Sequence, residues 1–102
     1  MNLDRIGRII KDGKFVILYV KSRSCGVCNE LLPKITEITE KEKIEFINIY
    51  IEDIPEITGR YSVFTAPTII MFVMGKEVYR EGRFFRPSEL NKKIYKYKNL
   101  IL

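Results

Sequence analysis

Histidine and tryptophan are absent from this 102-residue chain, and cysteine occurs only twice, as Cys25 and Cys28. Lack of histidine removes the side chain that most often works as a general base or metal ligand near neutral pH. Structural zinc takes four ligands, mainly Cys and His, so one cysteine pair leaves only a site shared between two copies. Two cysteines are also too few for the disulfide framework of a small secreted scaffold. Two readings of the pair remain open, redox chemistry or two inert buried thiols.

Long hydrophobic runs are missing too. The longest, Phe15–Val20 and Ile69–Val73, fall far short of the roughly 20 residues that cross a bilayer. The opening stretch "MNLDRIGRIIKDGK" mixes charge with apolar residues and contains no signal-peptide block, so a cytoplasmic location without membrane association is expected. Hydrophobic residues make up 46% and charged residues 30%, the balance of a soluble globular protein. The length predicts one domain spanning residues 1–102.

The net charge of +5 comes from 18 basic and 13 acidic residues, with much of the excess in "GRFFRPSELNKKIYKYKNL". Such a segment could attract RNA. No nucleic-acid motif accompanies it, and the preferred reading is a solvated helix face whose Tyr95 and Tyr97 pack inward. No nucleic-acid partner is expected.

Periodicity supplies the elements. Leu3, Ile6, Ile9 and Ile10 recur at helical spacing, ended by Asp12-Gly13. Phe15–Val20 is continuously apolar, as in a strand buried on both faces. Leu31, Leu32, Ile35 and Ile38 return to a period near 3.6, in a helix that contains Pro33. Ile44–Ile51 reads as a second strand, and "DIPEITGRYSV" as a short helix beginning near Pro55. "TIIMFV" and "EVYREGR" flank "MGK" as a hairpin that turns at Gly75. A last helix carries the stripe Leu90, Ile94, Tyr97 and Ile101. The first two strands should be parallel with a right-handed crossover, and the hairpin must bring in an antiparallel strand. The expected fold is α/β, a four-stranded mixed sheet with helices on both faces.

Both cysteines therefore sit in the first turn of a helix, directly after a strand. The thiolate is the species that attacks a disulfide, and an unperturbed cysteine of pKa about 8.5 is only about 3% ionised at pH 7. A helix N-terminus offers unpaired N–H groups and roughly half a positive charge. Lowering a pKa by one unit takes about 1.4 kcal/mol, within reach of that terminus with Lys21 and Arg23 nearby. Positions i and i+3 share a helix face, so Cys28 can resolve a mixed disulfide at Cys25, and Gly26 lets the chain tighten between them. Inert thiols would suit Cys28, but they fit Cys25 poorly because it follows the polar "KSRS" at a strand exit.

With "CGVC" after a strand, Pro33 in the following helix, "TAPT" and "MGKEV" at matching distances, the sequence resembles the thioredoxin family from about Phe15 to the last helix. The resemblance implies a thiol-disulfide oxidoreductase without cofactor, with Cys25 as nucleophile and Cys28 as resolving thiol. It implies a cis-proline at Pro67 facing the disulfide and a backbone at Ala66 that pairs with an extended substrate. Gly26, Val27 and Gly82 complete the implied substrate contacts, and Val27, Phe64 and Ala66 imply a shallow apolar surface suited to protein disulfides. The implied partners are disulfide-containing proteins and a thioredoxin-reductase-like or glutathione-type reductant, with the chain acting as a monomer.

The sequence departs from the family at several positions. Ser24 replaces its usual tryptophan, Val27 its motif proline, Tyr19 its buried acid, and Asn48 stands near that acid's lysine partner. The family's usual first strand is missing, because the chain starts at the helix. A tyrosine of pKa about 10 is a weak proton acceptor, and Glu30, one turn away, reads as a solvated helix residue. Two alternatives stay open: a glutaredoxin-like reductase that uses glutathione, and a thioredoxin-fold module that binds without turnover.

Overall fold

A computed structural model describes residues 1–101. Helix α1 spans Leu3–Asp12, its first turn capped by the Asn2 side chain accepting from Arg5 N–H, and it buries Ile6 and Ile10. Strand β1 (Phe15–Lys21), helix α2 (Gly26–Glu42), strand β2 (Glu45–Tyr50) and helix α3 (Ile57–Tyr61) follow. Strands β3 (Thr68–Val73) and β4 (Lys76–Glu81) and helix α4 (Pro87–Ile101) complete the described chain. None of these helices is long and apolar enough to cross a membrane.

The strands order as β2-β1-β3-β4. β1 and β2 are parallel, and β3 pairs antiparallel with both β1 and β4, so β3 alone runs against the other three. Strand side chains alternate between faces, and both faces here are covered. Val16, Leu18, Val20, Ile70 and Phe72 meet Ile6 and Ile10 of α1 and Ile57 of α3. Ile17, Tyr19, Ile69 and Met71 meet Ile35 of α2 and Leu90 and Ile94 of α4. This two-sided burial is why β1 and β3 read as unbroken apolar runs.

The β3–β4 turn uses Met74 and Gly75 at φ 53° and 81°. A two-residue hairpin turn of this kind needs positive φ at both positions; Gly75 takes it without steric cost, and Met74 takes it with its side chain exposed.

Three expectations need correction. The short helix starts at Ile57, not near Pro55; Pro55 lies in a preceding turn, where its carbonyl accepts from Thr58 N–H (3.2 Å) and Thr58 Oγ1 (2.9 Å). Tyr95 does not pack inward. It is 73% exposed, because one residue past buried Ile94 is about 100° around the helix, while Tyr97 does pack against the α2/α4 side. Ile101 is also exposed. Lys98 Nζ donates to the carbonyl of Glu42, the last residue of α2, at 3.0 Å.

The pairing register gathers four loops at one end of the sheet. Val20 pairs with Thr68, Lys21 with Tyr50, and Ile69 with Glu81. The segments after Lys21, after Tyr50, before Thr68 and after Glu81 therefore meet at the end where the cysteines lie.

Candidate active site

Cys25 caps α2. Its backbone is extended (φ −102°, ψ 103°), and its Sγ accepts from the N–H of Cys28 at 3.1 Å. An N-cap side chain normally takes one of the unpaired amides of the first helical turn, and here a sulfur does so. The terminal amides and the positive end of the helix dipole therefore bear on Sγ, which favours its anion.

Exposure divides the two thiols. Cys25 is half-buried and Cys28 fully buried; they are joined as a disulfide with Cα atoms 5.3 Å apart. A disulfide partner arriving from solvent reaches Cys25 first.

Tyr19 lies beneath the motif. Its side chain is wholly buried, and its OH donates to the Cys28 carbonyl at 2.9 Å. Burial pushes its pKa up to about 12, so the phenol holds its proton and cannot serve as a base for Cys28. Asn48, in register with Tyr19 on β2, accepts from Lys21 Nζ at 2.7 Å. Glu30 is exposed, as expected of a solvated helix residue.

Lys21 and Arg23, the cations nearest the motif in sequence, have partners outside it. Lys21 Nζ lies 4.2 Å from the centre of the Tyr50 ring, and Arg23 Cζ lies 4.3 Å from the same ring. Arg23 also reaches Asp53 Oδ2 at 2.8 Å. Both cations are committed to the exit of β2, because the parallel register sets Lys21 beside Tyr50. Burial and the neighbouring Arg23 lower the Lys21 pKa, with Asp53 opposing them. Support for a Cys25 thiolate comes from the helix terminus.

The remaining residues fall as follows. The Ala66–Pro67 peptide is cis, with Pro67 buried and Ala66 half-buried just before Thr68, the partner of Val20. Gly82 lies against the same turn, since a Cβ there would stand 3.8 Å from the Pro67 carbonyl. Val27 is half-buried and Phe64 is 79% exposed. Gly26 does not work as expected: it sits at an ordinary helical position, and a Cβ there would meet nothing within 4 Å. No tightening requires a glycine at that point.

Sequence reasoning missed Tyr50, Glu52 and Asp53. Their signal is the acidic pair directly after one strand facing the basic pair Lys21 and Arg23 after its neighbour. It becomes readable only once the two strands are known to end side by side.

Buried phenols predict an alkaline limit to stability. Tyr79, whose OH is buried without a hydrogen-bond partner among the described residues, is also pushed up to about 12, by burial first and then by Glu81 and Glu89. Unfolded tyrosines ionise near pH 10, so the stability held by Tyr19 and Tyr79 is complete below pH 10 and is lost as pH rises toward 12. Urea unfolding should show Tyr19 alone contributing a fall of about 2 kcal/mol across that window. Tyr19→Phe should remove that share of the slope against the common lysine background, and an unchanged slope would refute the assignment.

Comparison with known proteins agrees with this arrangement. Residues 5–96 match the thioredoxin family model. Thioredoxin-like protein YdfQ of Bacillus subtilis (strain 168) is 34% identical over 94 residues, covering 91% of this chain and 84% of that protein. The structure of thioredoxin 1 from the thermophilic eubacterium Thermosipho africanus TCF52B superposes with a TM-score of 0.79 at 33% identity, over 83% of this chain and 96% of that one. A mutant thioredoxin from Halobacterium salinarum NRC-1 superposes with a TM-score of 0.86, covering 95% of this chain and 86% of that one. At 20% identity, that last likeness bears on the fold alone.

Proposed function

The chain belongs to the thioredoxin family and is a thiol-disulfide oxidoreductase, and from that premise we propose that it reduces protein disulfides with Cys25 as nucleophile and Cys28 as resolving thiol. The Cys25 thiolate attacks one sulfur of the substrate disulfide. A mixed disulfide forms, and the other substrate sulfur leaves as a thiolate that takes a proton. Cys28, deprotonated, then attacks Cys25 Sγ, which closes the Cys25–Cys28 disulfide and expels the second substrate sulfur. Two electrons pass to the substrate, and an external dithiol or thiol reductant restores them.

One observation carries this reading: Cys25 is half-buried with its Sγ on the helix-terminal amide of Cys28, while Cys28 itself is fully buried. Ala66, just before the cis peptide bond, takes the role of pairing with an extended substrate backbone, and Gly26, Val27, Pro67 and Gly82 are the further substrate contacts of this reading. The exposure of Phe64 supports a substrate that brings apolar surface, hence a protein chain more than a small polar disulfide. The reading extends to a single-domain monomer in the cytoplasm, where reductant pools keep such dithiols reduced.

Regeneration tests the choice of reductant. Insulin reduction should be sustained by NADPH with thioredoxin reductase, and should run at least about tenfold slower with glutathione and glutathione reductase, a difference of about 1.4 kcal/mol in barrier. Equal or faster turnover with glutathione would overturn it in favour of a glutaredoxin-like reductase.

A further inference from the structure

We propose that Glu52 is a positioning residue for Cys25, its carboxylate latching Ser22 and Arg23 to the exit of β2 and so setting where the Cys25 sulfur sits. The proposal rests on the reading of Cys25 as nucleophile and adds to it a residue outside the cysteine motif.

Between the end of β1 at Lys21 and the start of α2 at Gly26 the chain must turn without regular structure. Within the segment it has little to hold it: Cys25 N–H to the Ser22 carbonyl at 3.1 Å, the Ser22 and Ser24 hydroxyls at 3.1 Å, and a long contact from Ser24 N–H to Ser22 Oγ at 3.4 Å. The rest of its support comes from the 50–53 loop. Glu52 Oε2 accepts from Ser22 Oγ at 3.0 Å, and both Glu52 oxygens face the Arg23 N–H, at 3.1 and 3.3 Å. One carboxylate thus grips two consecutive residues. On either side the Tyr50 ring takes Lys21 and Arg23, and Asp53 takes the Arg23 guanidinium.

The connection to the sulfur is short. Ser22, held by Glu52, offers its carbonyl to Cys25 N–H, and Cys25 must stay extended for Sγ to meet Cys28 N–H. Hydrogen bonds from backbone N–H to a carboxylate are stronger than neutral ones. The Glu52 carboxyl is held below its ordinary value, by its own backbone N–H first and then, against the opposing effect of burial, by the Arg23 N–H and the Ser22 hydroxyl. A surface ion pair by itself would be worth little. Here the function lies in where the loop is held.

Two roles for Glu52 predict opposite signs. If it acted on Cys25 only through its negative charge, removing that charge would ease ionisation and lower the pH midpoint of Cys25 alkylation. If it positions the loop, Glu52→Ala lets Sγ leave its amide and raises the midpoint. Glu52→Gln keeps an oxygen for Arg23 N–H and an N–H that the Ser22 hydroxyl can accept, so it should preserve the position without the charge.

The experiment is the rate of iodoacetamide labelling of Cys25 against pH in the reduced full chain, for the unmodified protein and both variants. Expected are a midpoint raised by about half a unit to one unit in Glu52→Ala, a threefold to tenfold slower reaction at pH 6.5, and Glu52→Gln close to the unmodified protein. Ser22→Ala, which loses one arm of the latch, should fall between them. A midpoint lowered alike in Glu52→Ala and Glu52→Gln overturns the proposal in favour of a charge effect, and no change in any variant overturns it outright. If Cys25 of the unmodified protein reacts no faster at pH 6.5 than a free peptide cysteine, its reading as an activated nucleophile fails and the proposal falls with it.

Discussion

Cys25→Ser lowers the turnover of insulin disulfides by roughly a thousandfold or more, the scale seen when a catalytic nucleophile is removed, while Cys28→Ser stops the reaction one step later. A serine hydroxyl at the helix cap stays protonated at neutral pH and does not undergo thiol-disulfide exchange. The half-exposed position of Cys25 is the one a substrate disulfide can reach, and fully buried Cys28 cannot take over the attack. In Cys28→Ser the first attack proceeds and the product stays bound as a mixed disulfide, because no second sulfur is at hand to displace it. Turbidity of reduced insulin reads the first outcome, and intact-mass analysis of the trapped complex reads the second. Full activity in Cys25→Ser, or a trap that forms through Cys28 instead, contradicts the assigned order.

Tyr19→Ala costs about 3–5 kcal/mol of stability, as large-to-small changes of aromatic core residues do. Tyr19 is wholly buried among Ile17, Ile35, Ile69, Met71 and Leu90, and its truncation opens a void beneath the cysteine motif. It also leaves the Cys28 carbonyl without the phenol that bonds it. Tyr19→Phe isolates that second effect and should cost about 1–2 kcal/mol. Domains of this size hold only about 5–15 kcal/mol in total, so the alanine variant is marginal and the phenylalanine variant folds. Urea unfolding of the oxidised proteins measures both. A cost below about 1 kcal/mol for Tyr19→Ala would show that the ring is not packed as described.

Tyr19 and Lys21 show how unevenly the site could be read in advance. At Tyr19 a weak proton acceptor was legible from residue type alone, and burial against α2 then closed the route altogether. At Lys21 and Arg23 the residue types invited a role beside the thiolate, yet both cations turn to Tyr50 and Asp53. A charge near the motif in sequence can be aimed anywhere until its neighbours across the sheet are known. Gly26 taught the reverse lesson, for its open surroundings make no demand for a glycine. The cis bond at Pro67 is implied by the family resemblance alone, since an X–Pro dipeptide carries only a weak local preference.

What residue order alone settled was local. Apolar periods of 2 and 3.6, caps and turn residues act over a few positions, so the eight elements and the placement of two thiols at a helix start were readable directly. Which residues face those thiols was decided by pairing across the sheet, where Lys21 meets Tyr50 and Val20 meets Thr68. Such contacts join positions far apart in the chain, and no local preference encodes them. They exist only because burying both faces of one sheet leaves its strands a single workable register.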